Sequence, residues 1–478
     1  MVRAAFKAII FTYAMLSLSI LAQSQAACPT VLGLPHSSSQ PRITSVIDES
    51  SLVALHGNIH PRAQAAYDQG SAPISMSASR LVLVLSRSKQ QEAELQTWLQ
   101  SIQDASSPNY HRFFTPEEFG ERFGVGDSDL QSTQSWLTSH GFAVSRISKG
   151  RTAIEFSGTV DQVQNTFHTS IHSYVVSGKQ YWANTTDPQI PSALAPVVAG
   201  LASLNSFKPR TQYILGPRGI YNAEKRAVLP AYTNTDQYGN YYIYLGPADA
   251  ATIYNTPTVL NANLLGTAYD GTGATIGVAG DSNINLAENA NYRATFGLGA
   301  NPTTVVVDGN DPGENGDSIE AYLDTQVAGG IAPNANVILY TAADTSLQPG
   351  LFLAIQRAID DNQADILNVS FGSCEAAQGA SGNQFIQNLW EQAAAQGISV
   401  VVSAGDSGSA GCDDADTEEG AYLGLAVNGL ASTPYNIAVG GTDFDILYSN
   451  FPSSFTTYVN TTNTLPRPLA MSYPTAAL

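Results

Sequence analysis

The second half of this chain has no histidine and almost no positive charge. All seven histidines lie at or before His172. Beyond residue 250 only Arg293, Arg357 and Arg467 are basic, against 23 acidic side chains, whereas residues 1–250 carry 18 basic and 17 acidic ones. So acidic a segment does not hold nucleic acid or an anionic membrane by electrostatics. Without histidine it cannot itself supply a Ser-His-Asp triad, a Cys-His dyad or a His-ligated metal site. Charged residues are scarce overall, 13% against 43% hydrophobic, which permits a large core and argues against disorder. There is no internal repeat and no low-complexity tract. A length of 478 residues suggests two or three domains.

What is present begins with a leader. Arg3 and Lys7 precede an apolar run from Ala8 to Leu21, and Ser24-Gln25-Ala26 offers small residues for cleavage before Ala27. Residues 1–27 therefore read as a secretory signal peptide, because the run is short for a bilayer anchor. No later stretch is long and apolar enough to span a membrane. The expected location is secreted, or extracellular. Cysteine is nearly absent: Cys28, Cys374 and Cys412 are all there is. In an oxidising compartment Cys374 and Cys412 are a candidate disulfide, the alternative being two separately buried thiols.

Residues 28–78 are polar and broken by Pro and Gly, and read as an extended lead-in. A compact α+β domain is expected over about 80–204. It holds a buried strand at Leu81–Leu85 and a helix over Gln90–Gln103. A helix start follows at Thr115-Pro116-Glu117-Glu118, where Thr caps, Pro opens and Glu closes the capping box. Further elements are a helix over Asp127–His140, strands near Ala143–Ile147 and Thr152–Phe156, a helix over Thr159–Phe167 and a hairpin from Ser170 to Trp182. Phe207–Leu245 is rich in Tyr and Pro, carries the basic pairs Lys208/Arg210 and Lys225/Arg226, and reads as a linker.

From Gly246 the pattern changes to continuous apolar strands alternating with helices, which implies a parallel sheet covered on both faces. The strands are Ala274–Gly280, Thr304–Val307, Asn336–Tyr340, Ile366–Val369, Ser399–Ser403 and Ile437–Val439. Helices fall at Ser318–Ala328, Leu351–Asp361 and Gln384–Gln396. In such a sheet, sites form beyond the C-terminal ends of strands. That selects Gly280-Asp281-Ser282, the helix opening at Asp317, and Ala404-Gly405-Asp406-Ser407-Gly408-Ser409.

Glu320 and Asp324 are four apart on the Asp317 helix and so share one face. Like charges at that spacing repel, with no Lys or Arg nearby in sequence. Ile319, Leu323 and Val327 are expected to form the adjoining buried stripe, which puts the carboxylates at its boundary. Such a pair either shares a proton, one acting as general base and the other orienting it, or is a solvated acidic face. Gly405-Asp406-Ser407-Gly408 resembles the nucleophile motif of chymotrypsin-like proteases, but that all-β fold needs a histidine. Here the motif follows a parallel strand, as a plain turn or as one aiming Asp406 into a cleft.

These motifs together resemble the sedolisin, or serine-carboxyl, peptidases. The resemblance rests on Tyr244–Asn255, on Glu320 and Asp324 followed by Ala328-Gly329-Gly330-Ile331-Ala332-Pro333, and on Ser403–Gly408. Asn109–Phe119 and Val160–Phe167 are similar to that family's pro-kumamolisin activation domain. The resemblance implies an α/β, subtilisin-like catalytic fold preceded by an α+β, ferredoxin-like prodomain. The implied domains are residues 28–204 as prodomain, 205–246 as a linker with the maturation cleavage, and 247–478 as an incomplete peptidase domain.

By the same resemblance Glu320 would be the general base, Asp324 its orienting partner and Asp406 the oxyanion-hole carboxyl. Protein or peptide substrates, an intramolecular prodomain and a monomeric state are implied. Carboxylate chemistry suits a histidine-free domain, because in acid an imidazole is protonated and a carboxylate still accepts a proton. The family's nucleophilic serine lies in a Gly-Thr-Ser motif, and none occurs here: Gly440-Gly441-Thr442 is followed by Asp443. Leu469–Tyr473 resembles a stretch that precedes the nucleophile. The expectation is a C-terminally incomplete acid endopeptidase zymogen, inactive alone, whose family Ca2+ ligands lie beyond Leu478. A complete non-catalytic relic and an exported α/β binding module are the competing readings.

Overall fold

The structure, a computed structural model, describes residues 40–211, 220–222, 227–229, 246–261, 264–413 and 420–442. The leader, Cys28, the basic pair Lys225/Arg226 and Leu469–Tyr473 lie outside the described residues. Among the described residues no helix is long and apolar enough to cross a membrane.

The first domain is an antiparallel sheet with helices packed on it. Its four main strands are Ser77–Leu85, Ala143–Ile147, Ala153–Thr159 and Val198–Leu201. They lie in the order second, third, first, fourth, the order of the split βαβ, ferredoxin-like plait. Three of its helices open on reciprocal capping boxes, at Ser88/Gln91, Thr115/Glu118 and Thr159/Gln162. The lead-in is more ordered than its composition suggests. Leu52–Ala54 pairs with Gln189–Pro191, and Asp68–Ser71 joins the hairpin of Ile171–Val176 and Lys179–Asn184. Polar strand residues escape period-two reading because pairing, not burial, holds them.

The second domain is a six-stranded parallel sheet. Its order is Thr304–Val307, Asn336–Thr341, Thr275–Gly280, Ile366–Val369, Ser399–Ser403 and Asn436–Val439. The earliest strand is central, so the connections run outward in both directions. Val337 and Leu339 pack with Ala321 on one face, while Ile338 and Tyr340 pack with Leu351, Ile355 and Ile359 on the other. That two-sided burial is what the continuous apolar strands encode.

The two domains share a core. Val82, Val84, Ala153 and Ala202 of the antiparallel sheet pack with Phe352, Phe385, Leu389 and Trp390 on the helices Gly350–Asp361 and Glu375–Gln396. Charged groups rim it. Arg80 and Arg146 both reach Asp308 and Glu155, and Arg87 pairs with the buried Glu391. At Gly200, with φ of 149°, a Cβ would stand 2.0 Å from Ser381 Oγ, so glycine is what lets strand and helix approach.

Candidate active site

Each chemical group sits just past the C-terminal end of a parallel strand, or at the start of a helix there, as open α/β sheets favour. Asp281 follows the central strand, Asp344 the strand ending at Thr341, Ser370 the strand ending at Val369, and Asp406 the strand ending at Ser403. Asp317 caps the helix Ser318–Ile331, which carries Glu320 and Asp324.

That helix corrects the expectation about its faces. Ile319, Leu323 and Val327 are 37%, 46% and 43% exposed, whereas Glu320 is 5% exposed and shares the inner face with Ala321, Thr325, Gly329 and Gly330. Small residues let the helix lie close to the sheet, and close approach decided the facing over hydrophobicity.

Glu320 is thus buried rather than solvated. Burial first, then the charges of Asp324 and Asp406 and more weakly Asp317, pushes its carboxyl well above the usual range. Asp324, part-buried, is also pushed up by burial, against hydrogen bonds from Ser370, Asn368 and Glu320. The two carboxyls interact and hydrogen-bond, so they titrate as a pair that keeps a proton where separate carboxylates would lose it. Ser370 Oγ donates to Asp324 Oδ1 at 2.8 Å, and Asn368 Nδ2 donates to Ser370 Oγ at 3.1 Å. Asp406 is exposed on a turn opened by Gly405, whose φ of 96° favours glycine. The structure therefore brings Glu320, Asp324 and Asp406 to one locus. Cys374 and Cys412 form a disulfide with Cα atoms 5.0 Å apart, which ties the segment after Asp406 to the start of the helix Glu375–Gln396.

One side chain of the basic half enters this acidic place. Lys208 Nζ lies 2.9 Å from Asp281 Oδ2, 2.8 Å from Asp317 Oδ2 and 3.0 Å from Asp344 Oδ2. Burial opposes the lysine's charge, yet the carboxylates outweigh it and raise its pKa. Burial pushes the Asp281 carboxyl up to about 7 despite Lys208, with Asp317 and Asp344 adding to the rise. Sequence reading marked Asp281 and Asp317 by position but did not find Lys208, Asp344, Asn368 or Ser370. The only sequence signal for Ser370 is its place directly after an apolar strand. Among the described residues no cluster of His, Cys, Asp and Glu is arranged to hold a metal.

Comparison with known proteins bears on both domains. Residues 64–207 match the pro-kumamolisin activation domain, and residues 299–467 match the subtilase family. The chain is 27% identical to sedolisin of Pseudomonas sp. (strain 101) over 75% of its own length and 59% of that protein's. It is 28% identical to xanthomonalisin of Xanthomonas sp. (strain T-22) over 73% of its length and 43% of that protein's. With kumamolisin of Bacillus sp. (strain MN-32) the figures are 27%, 83% and 67%. The chain thus carries a pro-kumamolisin activation domain and a subtilase-family domain, and its homologues include sedolisin, xanthomonalisin and kumamolisin. It joins an activation domain to a subtilase-family domain, and the chain spans 59% and 43% of the length of the first two of these relatives.

Proposed function

We propose that this sedolisin-type chain is the zymogen of a secreted, acid-acting serine-carboxyl endopeptidase that cleaves protein and peptide substrates. The observation that carries the reading is the buried Glu320. It is coupled to Asp324 and sits within the field of Asp406, in a sheet domain that has no histidine.

In this reading Glu320 takes the proton from a serine hydroxyl as that oxygen attacks the peptide carbonyl, and later returns a proton to the leaving amine. Asp324, held by Ser370, orients Glu320. Asp406 donates from its carboxyl O–H to the oxyanion of the tetrahedral intermediate. A carboxyl group of ordinary proton affinity suits work in acid, where an imidazole base would already be charged; because the Glu320–Asp324 pair retains a proton, Glu320 acts as base only when that proton lies on Asp324. The nucleophile comes from the family's Gly-Thr-Ser motif, which residues 1–478 do not contain, so those residues alone are expected not to turn over substrate. Residues 1–27 direct export, residues 28–204 are the prodomain, and maturation cleaves within 205–246, releasing a monomeric peptidase. The family's Ca2+ would be held by residues other than those described, and no step above uses it.

The test joins sequence and assay. The reading frame after the Leu478 codon is expected to continue into a Gly-Thr-Ser motif. Expression of that frame is expected to give digestion of denatured casein in acid that Glu320→Ala abolishes. Digestion that survives Glu320→Ala overturns the carboxylate assignment.

A further inference from the structure

Lys208 lies where the second domain's parallel strands end, and the structure shows how it is held there. Phe207 is stacked between His60 and Tyr181, with ring centroids 4.1 Å away on each side. His60 stays neutral because burial, helped by the charge of Arg62, drives its pKa down to about 3. Two residues further on, Arg210 pairs antiparallel with Gly372, its N–H donating to Gly372 O at 2.9 Å and its C=O accepting from Gly372 N at 2.8 Å. Thr211 Oγ1 donates to Asp317 Oδ1 at 2.9 Å. Residues 207–211 therefore lie along the cleft as a segment anchored by one antiparallel bridge at Arg210 and by side chains, a manner in which extended peptides are recognised. Gly372 is two residues past Ser370, and Asp317 is three residues before Glu320, so the segment runs past the Glu320–Asp324 pair.

Between those anchors the Lys208 ammonium has three N–H donors, and each meets a carboxylate of a different segment. Three carboxylates on one ammonium leave surplus negative charge. Asp281 is 2% exposed, and its second oxygen, Oδ1, has no hydrogen-bond partner among the described residues. Withdrawing Lys208 would leave a buried carboxylate without its counter-charge, a costly state that another cation relieves.

We propose that the pocket of Asp281, Asp317 and Asp344 is a substrate subsite for a basic side chain, a lysine on an extended peptide, which Lys208 fills in the zymogen. The inference rests on the peptidase reading, because it takes the occupant to be a substrate. The activation segment then closes the cleft by imitating the substrate class that the mature cleft prefers. Specificity comes from charge: a neutral side chain of the same length leaves the three carboxylates unmatched.

The test uses binding, so it needs no turnover. Phe207→Ala, Lys208→Ala and Arg210→Pro, introduced together in the full chain, remove the ring stack, the ammonium and the backbone donor that hold the segment down. Two peptides copying residues 206–211 are then titrated at neutral pH, one with lysine at the position of Lys208 and one with norleucine. The lysine peptide is expected to bind about tenfold tighter or better, and Asp344→Asn in the same background to reduce that preference at least about threefold. Asp344 Oδ1 accepts the Gly350 N–H at 2.8 Å, and the amide oxygen of the substituted side chain can still do so, which makes the change a test of charge. Equal affinities, no binding of either peptide, or a preference untouched by Asp344→Asn each overturn the proposal. If circular dichroism shows the triple variant unfolded, Lys208→Met alone is titrated in its place, with the same lysine preference required. Lysine preference in this chain, with no casein hydrolysis by the frame extended past Leu478, would sink the peptidase reading and leave the cation subsite standing. Hydrolysis without the preference would do the reverse.

Discussion

Ser370 Oγ donates a 2.8 Å hydrogen bond to Asp324 Oδ1, from the end of the strand neighbouring the central one to the helix that carries Glu320. The bond favours the ionised form of Asp324 and works against the burial that raises its pKa. Ser370→Ala is expected to raise the pH at which the Glu320–Asp324 pair loses its proton, by up to about one unit. Carbon-13 NMR of labelled carboxyls across a pH titration would read the shift directly. A downward shift would mean that Ser370 does not hold Asp324 in its charged form.

Glu320→Gln separates the cost of a buried charge from the loss of a side chain. Because the folded pKa of Glu320 is raised, the native state binds a proton that the unfolded chain has released. Stability therefore falls as pH rises from the ordinary glutamate range toward the raised value. Glutamine removes that penalty. It is expected to add about 1 kcal/mol of stability at neutral pH and little in acid, where wild type is already protonated. Melting curves at the two pH values make the comparison, and an equal gain at both would contradict the account.

Asp308 titrates the other way. Burial alone would raise its pKa, but Arg146 and Arg80 of the activation domain outweigh burial and hold it below the usual range. Arg357 also faces it at 3.6 Å, and Glu155 shares both of the activation-domain arginines. A depressed carboxylate contributes above the ordinary aspartate range and loses its contribution as pH falls through its lowered value. The contact between the domains is thus expected to weaken in strong acid. Asp308→Asn should weaken it by about 3 kcal/mol at neutral pH, since it leaves arginines short of a partner at a part-buried node. Amide exchange in Ala153–Thr159 and Gly350–Asp361 is expected to speed up in both cases.

The Cys374–Cys412 bridge closes a loop of 38 residues that contains Asp406. Restricting the unfolded chain over that span is worth about 4 kcal/mol. Replacing both cysteines with serine should lower the denaturation midpoint accordingly, and a reductant should bring wild type to the same value. A midpoint insensitive to reductant would show that the bridge does not form.

The parallel sheet was legible because strands buried on both faces leave uninterrupted apolar runs. Glu320, Asp324 and Asp406 were visible as an i, i+4 pair and a glycine turn after a strand. The facing of their helix was misread because Ala321, Gly329 and Gly330 give a buried face that no hydrophobicity pattern marks. Lys208 was hidden for a different reason. It lies 73 residues from Asp281, 109 from Asp317 and more from Asp344, and its meaning exists only where those strands and that helix converge. The segment 205–246 read as a linker with the maturation cleavage; within it Arg210 bridges Gly372, and Ile220–Asn222 pairs with Ala227–Leu229.

The central position of the earliest strand bears on how this protein comes to be folded. Thr275–Gly280 gains its flanking strands only when Asn336–Thr341 and Ile366–Val369 have emerged from the ribosome. Until then both of its edges stand open, and pairings over such spans form slowly. The activation domain is made first, and its last main strand, Val198–Leu201, has been synthesised before Thr275 is reached. Its apolar face of Val82, Val84 and Ala202 is then a finished surface on which the helices bearing Phe352 and Trp390 can settle while the sheet behind them is still being assembled.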